Sequence, residues 1–277
     1  MIQNCNEIQH WLLPSTVCFS VPFLFTRLNK QITFYDYGYD ANSILDRIEN
    51  LHTGILLTDY YSKPWQSTDL LLLKASTPAL VHDCCLSAPV TDVAHLVADL
   101  LLFSTGKGKV LDLGSGAIGF CHSGHDVKSD PVQDPEKIRQ QYQELDAYWK
   151  EILVGKTSFK KERVQDVDWI EHSDLDEPVY LSEVHKKLQA RLDHKSMLNA
   201  TYSQLINPVF LDNSIGNEWR FNILVDQPRV LLNELVKKDL FASNHYANAA
   251  VYLNDPENTN NKSSYLEKHI VNLFNDQ

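Results

Sequence analysis

No apolar run in these 277 residues approaches the ~18 that a bilayer-spanning helix requires, so no membrane segment is expected. The first residues, Met1-Ile-Gln-Asn-Cys-Asn-Glu7, have neither the basic nor the apolar region of a secretory signal. Positive charge is scarce: 25 Lys and Arg stand against 36 Asp and Glu, a formal net charge of −11. That balance argues against a nucleic-acid or anionic-membrane surface, while leaving room for a local basic pocket. Cysteine is sparse and unpatterned. The five residues, two of them adjacent (Cys84 and Cys85), form an odd set without metal-ligand spacing, which suits a reducing cytoplasm. Cys121 beside His122 and His125 is the nearest approach to a metal motif. Scattered surface histidines explain it more simply, so no metal is expected.

What is present is the composition of an ordinary soluble globular protein, 43% hydrophobic and 22% charged. The length suffices for one large core, or a large and a small one. Along the first hundred residues strands and helices alternate. Trp11–Pro14, Gln31–Asp36, Thr53–Tyr61, Pro78–Asp83 and Leu96–Phe103 read as strands. Ser15–Leu28, Ser43–Asn50 and Pro64–Lys74 read as helices. Alternation at this spacing implies βαβ units and a mostly parallel sheet. From 130 to 176 the chain is charged and polar around one helical stretch, Pro135–Leu153, and reads as an insertion or lid. Val179–Ile206 is one long helix. Trp219–Val225, Pro228–Lys238, Phe241–Tyr246 and His269–Asp276 give a strand, a helix and two strand segments suited to a small α+β domain. The expected division is 1–178 and 179–277.

The chemistry concentrates in Phe103-Ser-Thr-Gly-Lys-Gly-Lys109-Val-Leu-Asp-Leu-Gly114-Ser-Gly116. Small, flexible and basic residues follow an apolar strand, a combination suited to handling an anion at the strand's end. Val110–Gly116 resembles the strand-then-glycine opening of a Rossmann-like methyltransferase. The third glycine of that pattern would fall at Ile118, and Phe120–His125 is a poor helix start. The alternative is a Schiff-base lysine, because a lysine beside a strand end can be desolvated enough to attack an aldehyde.

Phe-Ser-x-x-x-x-Lys-x-x-x-x-Gly-x-Gly resembles the lysine segment of the DegT-like sugar aminotransferases, which use pyridoxal 5'-phosphate (PLP) on the fold-type-I scaffold. On that pattern Lys109 falls on the cofactor-bearing lysine, Ser104 on a phosphate contact, and Gly114 and Gly116 on the following loop. His82-Asp83-Cys-Cys-Leu86 stands where the family has Glu-Asp-x-x-Gln. Asp83 then matches the carboxylate on the pyridinium nitrogen, and Leu86 replaces a cofactor-contacting glutamine. Leu12–Ser20, Phe34–Asp36, Tyr61–Pro64, the Arg191, Asn199 and Tyr202 register, and His245-Tyr246 resemble further family segments in the same order.

The resemblance implies a fold-type-I α/β large domain, with a mostly parallel sheet and shortened at its N-terminus, followed by a small C-terminal α+β domain. The family's Gly-Ser/Thr-x-Ala helix start, which cradles the phosphate, is not found in this sequence. It further implies a cytoplasmic homodimer moving an amino group from an amino acid such as glutamate to a keto-sugar nucleotide. A degenerate member serving as a partner or regulatory subunit is the other reading.

Overall fold

In the computed structural model, residues 7–48, 52–90, 96–121, 135–165, 177–253 and 261–275 are described. A six-stranded sheet organises the first half in the order β2-β1-β3-β4-β5-β6. Its strands are β1 (His10–Pro14), β2 (Gln31–Tyr35), β3 (Thr53–Thr58), β4 (Leu80–Asp83), β5 (Leu100–Ser104) and β6 (Ala117–Cys121). The first five are mutually parallel and β6 returns antiparallel to β5. Trp11, Leu12 and Leu13 of β1 are all fully buried, as a strand covered on both faces must be. Helices α1 (Ser20–Arg27), α2 (Ala41–Leu45) and α3 (Ser67–Ser76) make the crossovers.

Helix α4 (Pro135–Leu153) and the short α5 (Glu162–Gln165) form the polar middle of the chain. Helix α4 is not a free lid, because its apolar side packs on α1. Trp149 stacks on Phe19 with centroids 5.8 Å apart and meets Phe23 edge-on at 6.0 Å. Leu145, Tyr148, Ile152 and Val164 complete this cluster.

The long helix α6 (Glu177–Leu205) joins the two halves. Near its start Val184 packs beneath β5 and β6; near its end Tyr202 packs on Phe221. The register residues are ties. Arg191 Nε donates to the Val110 carbonyl at 3.3 Å, Asn199 Nδ2 to Asn217 O at 2.7 Å, and Tyr202 Oη to Phe274 O at 2.8 Å. Beyond α6 lies an antiparallel sheet, β7-β9-β8, made of β7 (Phe221–Leu224), β8 (Ala242–Ser243) and β9 (Ile270–Leu273), with α7 (Pro228–Val236), α8 (Ala249–Tyr252) and α9 (Lys262–His269) around it. Asp36, just past β2, caps α9. Its carboxylate accepts from the Lys262 and Ser263 amides at 2.9 Å each and from Ser263 Oγ at 2.5 Å.

Several boundaries differ from the sequence reading. The strand expected over Thr53–Tyr61 stops at Thr58, because Tyr61 and Ser62 turn through φ of 50° and 73°. The strand expected from Leu96 begins at Leu100, and Phe241–Tyr246 contributes only the two-residue β8. Helices α8 and α9 have no counterpart in the sequence reading. No described helix is long and apolar enough to cross a membrane.

Candidate active site

The glycine loop does not start a helix. Gly114 and Gly116 have φ of 85° and 95° and turn the chain straight into β6. No helix N-terminus therefore faces a nucleotide there, and the methyltransferase reading is set aside. A Cβ on Gly116 would meet the Tyr180 ring at 2.8 Å. Asp112 ties the loop across itself, accepting from Gly108 N at 2.7 Å through Oδ2 and from Gly114 N at 2.8 Å through Oδ1. Thr105, fully buried, bonds the Ser115 carbonyl and the Tyr180 hydroxyl.

Within this tied loop the two lysines are not equivalent. Lys109 is half-buried and followed by the fully buried Val110, whereas Lys107 is exposed. The preceding Gly108, at φ 71°, offers its carbonyl to the Trp219 indole N–H at 2.6 Å. Lys109 is thus positioned by a core residue on one side and by a clamp from the second half of the chain on the other.

At the end of β4, His82 and Cys84 line a cavity of about 630 Å³ with Leu101 and Phe103 of β5, and Asp83 and Cys85 do not. There Asp59 accepts from His82 Nε2 at 2.7 Å and from Ser87 Oγ at 2.8 Å. The donor atoms of Asp59, His82 and Cys84 lie within 4.8 Å of one another. Burial first, then the Asp59 charge, raises the Cys84 thiol. The other metal candidates, His122 and His125, lie outside the described residues.

Asp83, next to His82 in β4, faces the other side of the sheet. Asp83 Oδ1 accepts the Cys85 amide at 2.9 Å. Burial, then the Asp83 charge, raises the Cys85 thiol, and the Lys109 ammonium pulls it back down. Cys85 thus feels both charges, Asp83 at the end of β4 and Lys109 in the loop that follows β5. Lys109 lines a second cavity, also about 630 Å³, with Cys18, Phe19, Tyr142, His245 and Tyr246 among its walls. Burial, then Cys18, Tyr61 and Asp83, raises the Tyr246 phenol. Asp83 is not among the lining residues. The β4–β5 register sets Asp83 opposite Leu102, so Ser104, two residues on, shares that face. Its Oγ accepts from the Gly106 amide at 3.3 Å, and it is not among the lining residues. Leu86 turns instead into the main core.

The far wall comes from the second half of the chain. Trp219 and Tyr246 stack with centroids 6.1 Å apart, and His245 meets Trp219 edge-on at 5.6 Å. The Tyr61 hydroxyl brackets the cis His245–Tyr246 peptide, accepting from the Tyr246 amide at 2.9 Å and donating to the His245 carbonyl. Burial first, then the Arg220 and Lys109 charges, holds His245 down to about 4. Trp219 and Arg220 escaped the sequence reading, which placed them inside an alternating strand. An Arg beside a Trp just before that strand is the signal that could have found them.

No family model and no curated protein matches this sequence. Solved structures do. A Brucella abortus aminotransferase of the DegT/DnrJ/EryC1/StrS type superposes with a TM-score of 0.65 at 13% identity, over 98% of this chain and 75% of that one. PseC of Helicobacter pylori, an aminotransferase of pseudoaminic acid biosynthesis, gives 0.60 at 15%, over 97% and 74%. A Streptococcus pneumoniae chain solved in its PLP form gives 0.64 at 11%, over 100% and 78%. The fold is therefore that of the PLP-dependent, fold-type-I aminotransferases in its DegT-type form. The residues present suit that cofactor: Lys109 supplies an amine in a cavity with aromatic walls, and Asp83 a carboxylate at the end of the strand beside β5.

Proposed function

We propose that the chain is a PLP-dependent aminotransferase that passes an amino group from an amino acid such as glutamate to a keto-sugar nucleotide. The observation that carries this reading is the placement of Lys109 in an aromatic-walled cavity, in the loop that leaves β5, while Asp83 ends the neighbouring parallel strand β4. Ligands of open α/β sheets gather at such strand ends.

In this reading Lys109 Nζ holds the cofactor and moves the proton at the substrate's α-carbon. The Asp83 carboxylate holds the ring nitrogen in its protonated form, and the Ser104 hydroxyl meets the phosphate. PLP, when bound, supplies the electron sink for the reacting carbon. The tied loop keeps Lys109 in place between Gly108 and Val110, and Trp219, His245 and Tyr246 exclude water from one side. The cofactor-binding half is 1–178, carrying an insertion over 130–176, and 179–277 is the linking helix with the small α+β domain. A cytoplasmic homodimer is part of the same reading.

The test is a titration with PLP followed by visible absorbance. Wild type and Lys107→Ala are expected to develop the band of a lysine-bound cofactor, and Lys109→Ala is not. A wild type without the band at saturating PLP, or a band that Lys109→Ala retains, would overturn the reading.

A further inference from the structure

Asp59, His82 and Cys84 are all buried, and all three line the cavity that Leu101 and Phe103 share. The parallel β3–β4 ladder brings them together. Leu57 pairs with His82 and Thr58 with Asp83, and the Asp59 amide continues the ladder to the Asp83 carbonyl at 3.2 Å. A carboxylate oxygen, an imidazole nitrogen and a thiol sulfur thereby lie within 4.8 Å of one another. Asp59 Oδ1 faces His82 Nε2 at 2.7 Å, while Oδ2 accepts from Ser87 Oγ at 2.8 Å. Ser87 is held in turn by its amide on the Cys84 carbonyl at 2.8 Å. A second carboxylate, Glu218, lines the same cavity, and among the described lining residues there is no lysine or arginine. His82 is the one lining side chain there that can carry positive charge.

We propose that Asp59, His82 and Cys84 form a zinc site whose fourth position opens to this cavity. The inference is independent of the aminotransferase reading, because none of the three lines the cavity of Lys109. One thiolate, one imidazole and one carboxylate make a borderline-soft set that suits zinc, whereas magnesium and calcium take oxygen ligands. Tetrahedral ligation at about 2.0–2.3 Å sets donor atoms roughly 3.5 Å apart. The triangle reaches that by opening the Asp59–His82 contact slightly and drawing Cys84 in. On binding, the Cys84 thiol gives its proton to solvent and the His82 Nε2 hydrogen moves to Nδ1, leaving two anionic donors and one neutral donor. Ser87 fixes the outer carboxylate oxygen and leaves Oδ1 to the ion, the outer-shell support that metal carboxylates carry. The sequence reading expected no metal because the third ligand stands 23 residues before His82.

The test is titration of the full chain, stripped with EDTA and desalted, with cobalt(II) and then with zinc. Wild type is expected to take up cobalt with the visible bands of a four-coordinate ion and a near-ultraviolet thiolate-to-cobalt band, both removed by an equivalent of zinc. Cys84→Ser should lose the thiolate band, while Cys85→Ser and Cys121→Ser should keep it. In competition with a chromophoric chelator, Asp59→Asn and His82→Gln should bind zinc at least about a hundredfold more weakly, and Ser87→Ala, which leaves the three ligands in place, about tenfold more weakly. Circular dichroism shows which variants are folded. Absence of the thiolate band in wild type, a band that folded Cys84→Ser retains or that Cys121→Ser loses, or unchanged zinc affinity in Asp59→Asn and His82→Gln would overturn the assignment. Asp59 and His82 would then be a hydrogen-bonded pair and nothing more.

Discussion

The Trp219 indole N–H donates to the Gly108 carbonyl at 2.6 Å, across 111 residues of sequence. The lysine loop of the large sheet is thereby held by a side chain standing immediately before the small one. Replacing Trp219 by Phe keeps a ring on the wall and removes the donor. A neutral hydrogen bond contributes about 1 kcal/mol, so PLP affinity, read from the Lys109-dependent band, should fall roughly fivefold while the fold is retained.

Gly114 and Gly116 should respond differently to alanine. Both have positive φ, but nothing lies within 4 Å of a Cβ at Gly114, while the Tyr180 ring lies at 2.8 Å from one at Gly116. Backbone strain of about 1 kcal/mol is expected for Gly114→Ala. Gly116→Ala adds the steric conflict and should cost on the order of 3 kcal/mol. Urea unfolding of the two variants checks the ordering.

His245 makes stability depend on pH. Its folded value of about 4 lies below the usual 6.5, so the unfolded chain binds the proton more readily between those values. Stability from this group is therefore complete above about pH 6.5 and is lost as pH falls toward 4. The loss is on the order of 2–3 kcal/mol. His245→Gln should flatten that part of the stability profile, measured by denaturant midpoints at pH 7 and pH 4.5.

Cys84 and Cys85 should resist alkylation. Burial and the neighbouring carboxylates of Asp59 and Asp83 raise both thiols, and the thiolate is the reactive form. Mass spectrometry after iodoacetamide at pH 7.5 should find both unmodified in native protein and modified after denaturation.

The parts legible in the sequence were those set by local pattern. The parallel strands are apolar runs, α6 packs Leu181, Val184, Leu188, Leu192 and Tyr202 at helical spacing, although Leu205 at its end is exposed, and α4 matches its expected bounds at Pro135 and Leu153. The lysine loop could be read because strand, small residues and lysine stand together. Other parts depend on partners far away in the chain. Helix α9 has one strongly apolar buried residue, Leu266, so its periodicity is faint; only Asn261, which caps Ser264 N, marks its start locally. The Asp59–His82 pair spans 23 residues, and nothing in either segment announces the other. Strand β3 ends at Thr58 although Tyr60 and Tyr61 have strand-forming side chains, because Asp59 N already bonds the Asp83 carbonyl and the chain then turns.

Asp36 gives the order of synthesis a structural meaning. Its carboxylate is buried, and it takes the first amides of α9 from residues 226 and 227 positions later. While the chain is being made, β1 to β5 can emerge and pair long before Lys262 leaves the ribosome. Until it does, the carboxylate has only nearby donors such as the Tyr37 amide. The edge of the nascent large sheet beside β2 thus stays electrostatically unfinished until the C-terminal helix arrives and docks there. The first half of the fold is completed by a helix whose first amides are made 226 and 227 residues after the carboxylate they meet.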